Sequence, residues 1–135
     1  MSAQTRDRGS LTVVVMLLVV VVLGGAALVV DGGRALTARR HAANTAEAAA
    51  RAAVAGQSLR TGFDPETAAH TARSFATRSG VPADEVDVTF RTGPTGAPEI
   101  VVTITEHRRT VFLVLGGRDD LTVRATGAAT FVYSA

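Results

Sequence analysis

The sequence has no cysteine. Disulfides and thiolate metal sites are therefore excluded, and cysteine usage says nothing about the redox compartment. Lysine is also missing, so all 14 basic residues are arginine. That uniformity reads as genomic base composition, not as recognition chemistry. Tryptophan is absent, and the aromatics come to five Phe and one Tyr. Nucleic-acid binding wants a concentrated basic face interleaved with aromatics. Here the net charge is only +2 and acids lie scattered among the arginines, so nucleic acid is not an expected partner.

Catalytic constellations are missing too. His41, His70 and His107 lie far apart, and none stands at HxxxH or HExxH spacing. The pairs Gly24-Gly25, Gly32-Gly33 and Gly116-Gly117 have no following lysine and no strand–loop–helix context, so they are not phosphate loops. No GxSxG occurs, and Asp119-Asp120 reads as a turn and not as a metal site. The expectation is a protein without enzymatic activity, cofactor, metal or small-molecule substrate.

What the chain does have is one long apolar run, Leu11 to Val30. None of its 20 positions is charged, and nine are valine and five leucine. A helix of that length spans about 30 Å, the thickness of a bilayer's hydrocarbon core. At about 0.3–0.6 kcal/mol each, the valines and leucines favour insertion by up to about 4–8 kcal/mol. A buried strand would be far shorter. The sequence thus predicts a membrane-spanning helix over 11–30, with Leu11, Val14, Val22 and Val30 along it. The competing reading is a signal peptide with Leu11–Leu23 as its core and a cut after Ala27, which would leave a secreted or anchored envelope binding module. Continuation of the run through Leu28-Val29-Val30 argues for retention.

No proline interrupts Asp31 to Gln57, and alanine, the best helix former, dominates this stretch. It can prolong the membrane helix into a rod reaching about 40 Å beyond the bilayer. Gly32-Gly33 is the expected weak point. Leu36, Ala43, Ala46, Ala50, Ala53 and Val54 form a stripe of small residues suited to close packing, either on the chain's own sheet or on another copy. Arg39-Arg40-His41 reads as a solvated face or a headgroup contact.

A second helix starts at Asp64-Pro65-Glu66, with Asp as N-cap and Pro at the first helical position, and stops at Gly80. Its buried side is Ala68, Ala72, Phe75 and Ala76. Alternation then predicts strands at Val86 to Arg91, Glu99 to Glu106 and Leu121 to Tyr133, the first two paired as a hairpin. The compact run Thr110 to Leu115 is strand or short helix, and periodicity does not separate the two. The predicted class is α+β, with a long transmembrane helix continuing into an alanine-rich helix, a second helix and a small antiparallel three-stranded sheet. Its divisions are a leader at 1–10, a membrane helix at 11–30, an alanine-rich helix at 31–60 and a small α+β domain at 61–135.

Asp7-Arg8-Gly9-Ser10-Leu11-Thr12-Val13, the apolar run, Val30-Asp31-Gly32-Gly33-Arg34-Ala35-Leu36 and the later hairpin with its Thr/Ala-rich closing strand resemble TadE/TadG-like proteins. These are pilin-like components of bacterial tight-adherence (Flp) pilus assembly. The composition suits an actinobacterial member. The resemblance implies a pilin-like fold, a cytoplasmic leader, a single pass through the cell membrane and an extracytoplasmic C-terminal domain. Implied partners are the lipid bilayer, other pilus or secretion-system proteins, and copies of the chain itself. Charge alone favours the opposite orientation, since Arg34, Arg39 and Arg40 outnumber Arg6 and Arg8. The margin is one arginine, and the resemblance decides. Many relatives are cut by a prepilin peptidase after a glycine, which here would be Gly9, with Ser10 as the new N-terminus. They carry glutamate at mature position five, where this chain has Val14. That departure fits a TadG-like or accessory member better than a processed pilin.

Overall fold

The computed structural model describes residues 6–58, 60, 62–110, 117 and 120–132, with side chains from Ser10 onward. The first helix, α1 (Arg6–Ala55), is unbroken for 50 residues, about 75 Å. It passes through Gly32-Gly33 without interruption, so the expected weak point does not break it. Neither glycine has a neighbour within 4 Å of where a side chain would begin. Chain continuity, not packing, carries the helix past them.

The two halves of α1 meet different surroundings. Leu11, Val14, Val22 and Val30 are 69%, 61%, 61% and 45% exposed, like the rest of the apolar run. From Ala38 on, one face is covered: Ala42, Ala46, Ala49, Ala50 and Ala53 are fully buried. Their spacing is that of a single helical stripe.

The helix α2 (Pro65–Arg78) begins as expected. Asp64 accepts from the Glu66 amide at 3.1 Å and from the Thr67 hydroxyl at 2.5 Å. Those bonds, the hydroxyl's foremost, hold its carboxyl below the usual aspartate range. At the other end the Gly80 amide donates to Thr77 and the Val81 amide to Ala76. This double closure requires a left-handed residue, and Gly80 supplies it at φ +89°. It also folds Val81 into the core beside Ala76.

After a short turn at Ala83–Glu85 come β1 (Val86–Thr92), β2 (Pro98–Arg109) and β3 (Asp120–Thr130). They form one antiparallel sheet in the order β1-β2-β3. Val102 sits opposite Val88 on one side and Gly127 on the other, which fixes the register. Along the row that faces the helices, β2 contributes Ile100, Val102 and Ile104, all fully buried. Opposite them, β3 contributes only Ala129, Gly127 and Ala125. This asymmetry seats α1: it lies over β2 and β3, where small residues let two backbones approach, while α2 packs against α1 and covers β1. Phe63, from the loop between the helices, closes the far end against Phe90 and Phe131, with ring centroids 5.8 and 5.7 Å apart. The outer face of the sheet is polar, and Thr103 and Thr126 pair across it at 3.3 Å.

The architecture is α+β: a long N-terminal apolar helix, a second helix and a three-stranded antiparallel sheet. The second strand is longer at both ends than expected, running from Pro98 to Arg109. The third ends at Thr130, not Tyr133, which lies outside the described residues. The run at 110–115, Thr110 apart, and the Asp119 of the expected turn also lie outside them.

Candidate functional site

The apolar run ends at Val30, and the packed domain begins within three turns of it. At this junction α1 crosses the ends of β2 and β3. The first acid after the run, Asp31, is 5% exposed although its apolar predecessors are open. Ten residues on, His41 meets Glu106 of β2, with Nδ1 and Oε1 2.7 Å apart. An ionised carboxylate only accepts, so the imidazole Nδ1–H is the donor. Arg108 binds the other oxygen of Glu106 through Nη2 at 2.7 Å and Nε at 3.1 Å.

Glu106 is only 4% exposed, whereas its two partners reach solvent. Burial, the largest single influence, pushes its pKa up. Hydrogen bonds from His41 and Arg108, with their charges, act the other way and together prevail, so the carboxyl lies below the usual glutamate value. The cluster therefore ties α1 to β2 by charge-assisted hydrogen bonds at the end of the domain nearest the apolar run.

The strand pattern carried a signal for this residue. Glu106 has the same parity as Ile100, Val102 and Ile104, so a strand extended to that point turns it inward. A partnered buried acid is the physical consequence. His41 was foreseen only as part of a basic cluster, and its partner comes from 65 positions away. His107, by contrast, lies exposed at the strand end, 3.2 Å from Asp120.

A second feature went unread: Gly127 presses directly on α1. A β-carbon there would lie 2.3 Å from the Glu47 amide nitrogen and 2.4 Å from the Ala46 carbonyl carbon. Of the stripe named from sequence, Ala46, Ala50 and Ala53 are fully buried in this seat. Ala43 and Val54 are half-buried on its flank, and Leu36 is 51% exposed. The packed face thus centres on Ala42, Ala46, Ala49 and Ala53, rotated from the expected line. Gly9 and Ser10 lie inside the first turns of α1, and Val14 one turn further on. No group of three or more His, Cys, Asp or Glu among the described residues is placed to hold a metal ion.

Helix, sheet and junction define a class: a small α+β protein whose leading helix is long and apolar enough to cross a membrane and whose trailing half is built into the domain. Residues 9–57 match the family described as putative Flp pilus-assembly TadE/G-like. The TadE/G-like resemblance is therefore shown over that segment, which is the whole apolar run and the alanine-rich part of α1. The family's description is one of pilus assembly and not of an enzyme. No curated protein and no solved structure matches the chain.

Proposed function

We propose that the chain is a membrane-anchored, pilin-like structural or assembly component of a Flp pilus or related secretion system. One observation carries this reading: a single unbroken helix joins an exposed apolar segment to a packed domain. From Leu11 to Val30 every residue but the half-buried Ala27 is exposed among the described residues, yet the same helix is fully buried along one face by Ala42. In water that exposed surface is unfavourable by tens of cal/mol for every Å². A bilayer, or the apolar segments of neighbouring copies, relieves it.

The helix then works as a stalk. Embedding its first half sets the height of the domain above the membrane, and the absence of a break fixes the domain's direction. The sheet and α2 wrap the second half, so force or contact at the domain reaches the anchor through one continuous hydrogen-bonded rod. Partners in this reading are other pilus or secretion-system proteins or further copies of the chain, with the domain outside the cytoplasm. The family match over residues 9–57 supports it. Val14, in place of a glutamate, supports an uncut accessory member over a processed filament subunit.

Intact-mass measurement of the chain from the membrane fraction tests the proposal. An uncut N-terminus in that fraction is expected. A cut after Gly9 would turn the reading toward a processed pilin. A soluble product beginning at Leu28 would overturn the anchor altogether.

A further inference from the structure

We infer that the groove between α1 and the end of β2 binds the headgroup of an anionic phospholipid. The inference rests on the membrane reading of Leu11–Val30 and adds a specific lipid contact to it. The groove holds about 890 Å³ and is lined by Val29, Val30, Arg34, His41, Arg108 and Arg109, among others. That is within the size range of ligand sites. Its composition is graded along the helix. Val29 and Val30, 75% and 45% exposed, form the end toward the apolar run. The cationic groups follow above them.

Depth matches as well. Arg34 stands four residues past the last apolar position, about 6 Å up the helix axis. The polar headgroup layer on each side of a bilayer is about 5–8 Å thick. Arg34 therefore sits at headgroup height, while the valines below it face acyl chains. Arg108 and Arg109 close the groove from the sheet side. Their strand ends here because β2 runs toward the membrane end of α1.

Charge completes the case. Arg108 shares Glu106 with His41, so that acid is already satisfied. Arg34 and Arg109 have no ion pair among the described residues, and both are exposed. Both arginines thus line the groove together with Val29 and Val30, and its described lining includes no carboxylate. Guanidinium is suited to two-point binding of phosphate oxygens. On the opposite flank of α1, Arg39 and Arg124 line a second groove with Leu36 and Leu121. Its helix residues, Gly32 to Arg39, fall within the span of the first groove's, but its helix arginine, Arg39, stands about 14 Å past Val30 where Arg34 stands about 6 Å past it. Removing its two arginines serves as an internal control of equal charge change.

The test uses the full chain in detergent micelles and in vesicles. In native mass spectrometry, phosphatidylglycerol adducts should persist at collision energies that strip phosphatidylcholine. Arg34→Gln with Arg109→Gln should cut that retention about 30-fold, at about fivefold per arginine near a membrane surface. Arg39→Gln with Arg124→Gln should leave it nearly unchanged. Inorganic phosphate at millimolar concentration should neither bind nor displace the lipid, which separates a headgroup site from a free-anion site. Equal retention of the two lipids by the wild-type chain overturns the inference whatever the variants do. So does equal loss in both double variants, which would mean a diffuse basic surface. Flotation with vesicles keeps the two readings apart: a chain that floats but shows no lipid preference loses only the headgroup site, and one that does not float loses the anchor.

Discussion

Replacing Gly127 by alanine adds one methyl group where, among the described glycines, a β-carbon would meet the closest neighbours. The new carbon would lie 2.3 Å from the Glu47 nitrogen, 2.4 Å from the Ala46 carbonyl carbon and 2.5 Å from the Glu47 Cα. Carbon atoms rest at about 3.5–4.0 Å, so α1 and β3 must separate by about 1 Å or more. All three obstructing atoms belong to helix backbone, which cannot rotate aside as a side chain can. Separation also loosens the neighbouring seats of Ala42, Ala49, Ala50 and Ala53, each fully buried. Overpacking typically costs about 1–3 kcal/mol and occasionally more. With two backbones in opposition the expected cost is at the upper end, about 3 kcal/mol. For a domain of this size that lowers Tm by about 12–24 °C. Thermal unfolding of the chain in micelles, followed by circular dichroism, reads the shift. Ala128→Ser, on the outer face one residue away, should stay within about 0.5 kcal/mol. Ala46→Gly should fail to rescue Gly127→Ala, because the clash is with backbone and not with the alanine methyl. A Gly127→Ala protein as stable as wild type would refute the seating of α1 on β3.

Two further outcomes follow from the junction and the second helix. Glu106 has a folded pKa below its ordinary value of 4.5, so its contribution is present above pH 4.5 and is lost as the pH falls through the lower folded value. Glu106→Gln should cost about 1 kcal/mol at neutral pH, discounted because His41 and Arg108 remain hydrated, and should flatten the acid limb of a stability–pH curve; an unchanged acid limb would discount the cluster. Gly80→Ala meets no neighbour but must hold φ +89°, so it should lose about 1–2 kcal/mol from backbone strain alone, read as a lower urea midpoint with an unchanged slope.

The parts of this fold that were legible in sequence are those with local causes. Asp64-Pro65 set the start of α2, Gly80 set its end, and alternation placed the inward faces of all three strands. The apolar run announced itself by length. What the sequence concealed depends on which element lies over which. Ala125, Gly127 and Ala129 share one strand face, and only the overlying helix explains why it is small. The packing stripe on α1 was drawn from alanine spacing alone. With so many alanines around the helix, composition could not fix its rotation, and Leu36 was placed on the stripe although it faces out. Glu106 carried the parity of a buried residue, but an acid at the last position of the expected strand gives no local sign of burial. The pairing of His41 with Glu106 is a tertiary fact, without a local signature.

The central claim is that Leu11–Val30 crosses a membrane and holds the domain on its outer side. Protease accessibility of the domain in intact cells tests it most directly, with the chain carrying a C-terminal epitope. The account predicts an epitope in the membrane fraction that external protease removes. An epitope protected until the membrane is broken, or one released as a soluble chain, would contradict it.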